Sequence, residues 1–266
     1  MRPDPDKPYY TAYDKRYEAV YRQGLMYWTA HPNELSAITD SVDAFLARQS
    51  VPEGAHIVDL GCGEGGLGVY LLEGGYTYTG IDISPVAVAR ATERIADYGD
   101  RGRILLLNVL DVTAGADEYY DAAIDVGCLP MLVVDLDRQL YLQNVYRMLK
   151  IGAPALFCRE AFDPEGLKDY VDSYETWLAV SRQEVDMPRF QNAWQDGRPF
   201  PIQLPDIATR ARTLVQYRAE LETVEFEFLY DRVSRTGVHV TFEVRRPEEE
   251  TDRINFDDDE YFRREV

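Results

Sequence analysis

The sequence predicts an α/β chain built on a doubly wound sheet of seven strands. Three observations carry this. Short runs that are apolar throughout alternate with segments of helical spacing, as in a parallel sheet covered on both faces. Glycines interrupt the chain directly after the first such run, in "HIVDLGCGEGGLGVYLL" from residue 56. Two segments near the end, "EFEFLYD" and "VHVTFEV", alternate with period two and are joined through "SRTG", which reads as an antiparallel hairpin.

Residues 1 to 55 are expected to be helical. Tyr10, Tyr13, Tyr17 and Tyr21 form one stripe, and Leu35, Ile38, Val42, Phe45 and Leu46 a stronger one. The first strand is Ile57 to Leu60, followed by a helix near Gly65 to Leu72. A second strand, Tyr76 to Ile83, runs into Ser84 and Pro85, a good N-cap and first helical residue. Val88, Ala91 and Ile95 would face inward. The third strand starts at Ile104 and ends at Asn108, and the fourth, "AAID", ends at Asp125. Tyr141, Val145, Met148 and Leu149 share one side of the next helix, which Lys150 and Gly152 terminate. The fifth strand, "APALFC", leads to Arg159 and Glu160. Ile207, Ala211, Leu214 and Leu221 then predict a helix just before the hairpin.

Three regions follow from this order. Residues 1–50 form a helical N-terminal cover, 51–246 the main domain, and 247–266 an acidic tail. Within the main domain, 161–205 is an insertion with five prolines and several aromatics. A connection this long inside a compact domain is usually functional, so it is expected to act as a lid. The charge-dense tail is expected to be solvated.

Composition narrows the partners. The net charge of −19 argues against nucleic acid, whose recognition relies on a basic patch. Four lysines stand against twenty-four arginines. That bias fits a GC-rich genome, a salt-adapted host, or a field that draws in cationic small molecules. No apolar run approaches a membrane span and the N-terminus is unlike a signal peptide, so a soluble, cytoplasmic protein without a membrane partner is expected. Cys62, Cys128 and Cys158 lack metal-type spacing, and His31, His56 and His239 are scattered. Neither a disulfide framework nor a metal centre is expected.

Gly61, Gly63 and Gly66 match G-x-G-x-x-G, with Asp82 about twenty residues on, where a ribose-binding acid belongs. The pattern expresses a strand-to-helix turn that lets a ligand approach the backbone. Dinucleotides need such a turn, and so does S-adenosyl-L-methionine. Asp59 favours the second, because a carboxylate two residues before the first glycine lies beside the place of an ammonium group.

The series "VDLGCGEG", "GIDIS", "YDAAIDVGCL" and "YRMLKIGAPALF" resembles, in order and spacing, the motifs of class I S-adenosylmethionine-dependent methyltransferases. The likeness covers residues 51 to 160, and the terminal hairpin resembles the family's sixth and seventh strands. "YDKRYEAVYRQGLMYW" and "YDRVSRTGVHVTFEVRRP" are also similar to the thiopurine- and tellurite-methyltransferase branch.

The resemblance implies a Rossmann-like fold and methyl transfer to a small-molecule acceptor through an N, O or S nucleophile. A protein or nucleic-acid acceptor, or a nicotinamide-dependent oxidoreductase, are the alternatives. It also implies residue roles. Gly61, Cys62 and Gly63 would cradle the methionine half of the cofactor. Asp59 would orient the turn or reach the amino group, and Asp82 would accept from both ribose hydroxyls. Ile83 would lie against the adenine, with Asn108 and Val109 beside it. Asn108 stands where the family commonly has an aspartate; Asp111 is the substitute candidate, or else caps the next turn. Asp125 would border the sulfonium, or serve only as an end-of-strand residue. Glu160 is the candidate for acceptor binding or base work, or else a rim carboxylate paired with Arg159. Trp28 and Trp194, with Tyr17, Tyr21, Tyr27 and His31, are candidate pocket aromatics that could face a sulfonium or an amine; for Tyr17 and Tyr21 the alternative is a helix stripe packed on the sheet.

Overall fold

The strand β1 (His56–Leu60) is buried almost from end to end and lies in the interior of the sheet. It pairs in parallel with β2 (Thr77–Asp82) on one side and β4 (Ala122–Val126) on the other. Beyond β2 lies β3 (Gly102–Leu106), and beyond β4 lies β5 (Pro154–Ala161), again parallel. The last two strands of the chain, β8 (Glu227–Val233) and β9 (His239–Arg245), are antiparallel, with β9 laid on β5. The order is β3-β2-β1-β4-β5-β9-β8. The computed structural model describes residues 8–25, 28, 34–111, 117–167, 172–177, 179, 189–195, 198–204 and 207–248.

Alternation along each strand sends side chains to two cores. Ile57, Tyr78, Ile124 and Leu156 point to the face covered by α2 (Glu34–Arg48) and α3 (Gly66–Glu73). Val58, Leu60, Ala123 and Phe157 point to the other, covered by α5 (Asp135–Met148) and α6 (Leu214–Glu222). At about 1.5–3 kcal/mol for each large apolar side chain removed from water, these layers dominate the stability. Helix α4 (Pro85–Ile95) begins as expected: Ser84 accepts from Ala87 N–H at 3.1 Å, and Pro85 opens the first turn. No helix among the described residues is long and apolar enough to cross a membrane.

Three element expectations need correction. The helix expected from Ile207 starts only at Leu214, because Thr213 and Gln216 form a reciprocal capping box there. The preceding residues 207–212 are not helical, and Arg210 N–H donates to the Pro130 carbonyl. The insertion has structure of its own: β6 (Arg189–Gln195) and β7 (Arg198–Leu204) form a separate antiparallel ribbon. Finally, β5 continues past Cys158 through a bulge at Arg159, whose φ is +62°. Tyr27 and His31, residues 249–266 of the tail, and the side chain of Trp194 lie outside the described residues.

Helix α1 (Pro8–Arg22) crosses over the carboxyl ends of β1, β2 and β4. Tyr13 donates to the Met131 carbonyl at 2.9 Å, and Asp14 accepts from the Ser84 hydroxyl. The β6–β7 ribbon rests on its far end, where Val20 packs with Ile202 and Leu204, and Gln23 donates to the Gln203 carbonyl at 2.6 Å. The N-terminal helix and the insertion thus touch each other above the sheet.

Candidate functional site

A cavity of about 320 Å³ opens at the carboxyl ends of β1, β2 and β4, under α1. This is the switch point of the sheet, where the strand order reverses and ligands of such folds bind. Asp59, Gly61, Cys62, Gly63, Asp82, Ile83, Asn108, Val109 and Trp28 all line it. Asp111, Asp125 and Glu160 do not.

The turn after β1 is held from within. Gly61 and Cys62 both donate their N–H groups to the Ile81 carbonyl, at 2.8 and 2.9 Å. Gly63 N–H donates to Asp82 Oδ2 at 2.8 Å, and Ser84 N–H to Asp82 Oδ1 at 2.8 Å. Each Asp82 oxygen therefore keeps a further lone pair for a ligand. Gly61 sits at φ +73°, and a Cβ there would meet Cys128 Cβ and Sγ at 2.9 Å. At Gly63, φ is +52° and a Cβ would lie 2.7 Å from the Tyr17 hydroxyl. Both positions need a bare backbone, for conformation and for space.

Asp59 is buried in β1 and accepts from the Tyr78 hydroxyl at 2.9 Å. Burial pushes its carboxyl up to about 7, against the opposing pull of that hydroxyl. Burial likewise raises Asp82 to about 6, while the N–H groups of Ser84 and Gly63 pull it down. Asn108 Oδ1 accepts from Leu110 N–H at 3.0 Å, so the amide oxygen proposed for adenine already closes a local turn. Asp111 N–H continues that turn onto the Asn108 carbonyl. Asp125 lies behind the cavity wall, accepting from Cys128 N–H at 2.5 Å, Leu129 N–H at 2.9 Å and the Tyr141 hydroxyl at 2.8 Å. Glu160 is also behind the wall, fully buried, and forms no ion pair with Arg159 among the described contacts.

Sequence reasoning missed Glu64 and read Tyr13 only as part of a helix stripe, while Tyr17 was a candidate pocket aromatic. Glu64 follows the second glycine, is buried, and accepts from Trp28 N–H at 2.8 Å. The Trp28 ring lies 4.7 Å from Tyr17 and 6.4 Å from Tyr13, with the Arg16 guanidinium 4.5 Å from its centre. Of the tyrosine stripe, Tyr13 and Tyr17 roof the cavity. Met131 and Leu132 complete the wall after β4.

The fold is that of class I methyltransferases, with the glycine turn at its switch point. Residues 58–155 match a family profile described as a methyltransferase domain. A 2-heptyl-1-hydroxyquinolin-4(1H)-one methyltransferase of Mycobacteroides abscessus is 31% identical over 114 residues, 41% of this chain and 49% of that protein. A ribosomal RNA small subunit methyltransferase C of Alcanivorax borkumensis is 41% identical over 168 residues, 62% of this chain and 42% of that protein. The chain thus spans about half or less of the length of these curated relatives. Among solved structures, a Burkholderia thailandensis 1,6-didemethyltoxoflavin-N1-methyltransferase with bound 1,6-didemethyltoxoflavin and S-adenosylhomocysteine superposes with a TM-score of 0.62. It is 16% identical, with 93% of this chain and 92% of that one covered, so the likeness is one of fold.

Proposed function

We propose that the chain transfers a methyl group from S-adenosyl-L-methionine to a small-molecule acceptor by in-line displacement. One observation carries the choice of cofactor. Three carboxylates, Asp59, Glu64 and Asp82, line the cavity, and no lysine, arginine or histidine is among its described lining residues. A dinucleotide would bring a pyrophosphate to this wall. Its usual donors are engaged, since the N–H groups of Gly61, Cys62 and Gly63 already have partners inside the protein. A sulfonium and an ammonium group suit the same wall. Asp59 would face the ammonium, and Asp82 would hold the ribose hydroxyls through its remaining lone pairs. When bound, the cofactor supplies the activated methyl group. The chain's own work is to align the acceptor and exclude water.

The acceptor side is formed by Tyr13, Tyr17, Trp28, Met131 and Leu132, an aromatic and apolar surface. That composition, with the net charge of −19, supports a small neutral or cationic acceptor over ribosomal RNA. Incubation with methyl-labelled cofactor and separated metabolite, RNA and protein fractions tests it. Label in a small-molecule product is expected; label confined to RNA or protein would refute the acceptor class.

Two further outcomes are expected. Trp28→Ala should lower kcat/KM for the acceptor by about tenfold or more while changing cofactor Kd little, because its ring closes the roof and Asp82 holds the cofactor. Parent rates in this variant would make Trp28 packing only. The second concerns pH. An acid whose folded pKa is raised stabilises the fold fully below its unfolded pKa, and that contribution is lost as pH rises through the folded value, here about 7 for Asp59. An ammonium group beside Asp59 favours the ionised form, so cofactor binding should release protons and tighten from pH 6 to 8. Calorimetry in two buffers of different ionisation enthalpy reads this directly, and Asp59→Asn should reduce the release.

A further inference from the structure

Glu160 is the one fully buried carboxyl group with an oxygen, Oε2, that has no hydrogen-bond partner among the described protein atoms. Its position is built. The bulge in β5 sets Arg159 at φ +62°, a conformation that non-glycine residues adopt at a cost. Bulges commonly re-aim a side chain next to a site. Here Glu160 Oε1 accepts from Gly127 N–H at 3.3 Å. Gly127 and Cys128 line the cavity, and Cys128 is the residue against which Gly61 has no room for a Cβ. A chain of contacts therefore runs from Glu160 through Gly127 and Cys128 to the first glycine of the cofactor turn.

The groups facing Glu160 decide its charge state. From the β4 segment these are Asp125 and Cys128; from α5, Arg138 and Tyr141; from α6, Tyr217; and Cys158 from its own strand. On β9 its pairing partner is the apolar Val240. Arg138 is forked onto Glu220 at 2.9 and 2.7 Å, so much of its charge is already neutralised. Asp125 receives three donors, and Glu160 only one long bond. Two buried carboxylates this close divide the roles: the better-solvated one keeps the charge and the other keeps the proton.

We propose that Glu160 is a positioning residue that works as a neutral carboxylic acid, holding Gly127 and Cys128 against the glycine turn rather than accepting a proton from substrate. Burial, then the field of Asp125, raises its pKa well above the ordinary glutamate range. The proposal rests on the methyl-transfer reading only for the ligand used to test positioning.

The acid is tested by urea unfolding of the parent and Glu160→Gln at pH 5 and pH 8. In the unfolded chain Glu160 ionises at its ordinary pKa, so the parent loses stability relative to the glutamine variant as pH rises. The difference, variant minus parent, should grow from pH 5 to pH 8; a difference that is constant or shrinks overturns the neutral acid. If the variant does not fold, the carbon-13 shift of the Glu160 carboxyl in the parent decides: a protonated shift at pH 7 supports the assignment and an ionised one overturns it. Positioning is tested with S-adenosylhomocysteine and amide exchange. Glu160→Ala should weaken binding about tenfold and speed exchange at Gly127, with Glu160→Gln restoring both. Parent-like binding and exchange in Glu160→Ala overturn positioning. If the parent itself fails to bind S-adenosylhomocysteine, the cofactor reading falls, while the urea and exchange results still decide Glu160.

Discussion

Asp82→Ala should cost most of the cofactor affinity. A carboxylate accepting two ribose hydroxyls forms charge-assisted bonds, and each one lost costs about 1.5–3 kcal/mol, roughly tenfold to hundredfold in Kd. The effect should exceed the loss of the ligand contacts alone. Asp82 also accepts the N–H groups of Gly63 and Ser84, which ties the cofactor turn to the start of α4. Alanine leaves both donors without their acceptor and loosens the turn that the cofactor needs. Asp82→Asn should recover little, because its amide offers one acceptor oxygen where two N–H groups converge. Calorimetric titration of S-adenosylhomocysteine into the folded variants makes the measurement. Unchanged affinity would mean that the ribose is held elsewhere.

Arg138→Met should destabilise the fold strongly. The guanidinium is buried, forks onto Glu220, and donates through Nη1 to the carbonyls of Leu129 at 2.7 Å and Leu132 at 3.1 Å. Burial opposes its charge, but Glu220 more than compensates and raises the pKa. Removing one partner of a buried pair costs about 3–5 kcal/mol. Glu220 keeps some exposure and is shared with Arg212 at 3.0 Å, which places the expectation near the lower end, about 3 kcal/mol. The two carbonyls belong to the turn that carries Met131 and Leu132 into the cavity wall. Acceptor turnover should therefore fall together with the urea midpoint. A stability change under about 1 kcal/mol would mean that the turn is held by its own backbone.

What was legible in the sequence is what local chemistry fixes. The glycine turn, the Ser84–Pro85 start of α4 and the apolar parallel strands each have a physical signature within a few residues and form about where expected, except that β3, expected from Ile104 to Asn108, runs Gly102–Leu106 and is only partly buried. The hairpin of β8 and β9 was visible in its period-two alternation. Long-range pairing was not visible. Ile207 and Ala211 have helical spacing with Leu214, yet the backbone there is claimed by Pro130 and by an isolated bridge between Phe162 and Arg212. The β6–β7 ribbon carries four prolines in or beside it and pairs with no other strand; its local signals, the alternation of Phe200, Ile202 and Leu204 and the Asp196–Gly197 pair between the strands, are obscured by those prolines.

The site divides in the same way. Residues on the turn itself line the cavity as the motif implies, because the backbone path places them there. Glu64 was hidden in plain sequence, since its meaning depends on Trp28 N–H, thirty-six positions away. Asp125 and Glu160 lie at the ends of central strands, where sequence alone cannot say which side of the wall a carboxylate faces. The structure turns Asp125 onto the N–H groups that follow β4, and the β5 bulge turns Glu160 onto Gly127.

The proposed reading rests on the wall of Asp59, Glu64 and Asp82 favouring a cationic cofactor, and calorimetry tests it most directly. S-adenosyl-L-methionine, S-adenosylhomocysteine, NAD and NADP are titrated separately into the same preparation. Binding of the first two, with no measurable heat from either dinucleotide, is the expected result. Saturable binding of NAD or NADP, with none of S-adenosyl-L-methionine, would contradict the account.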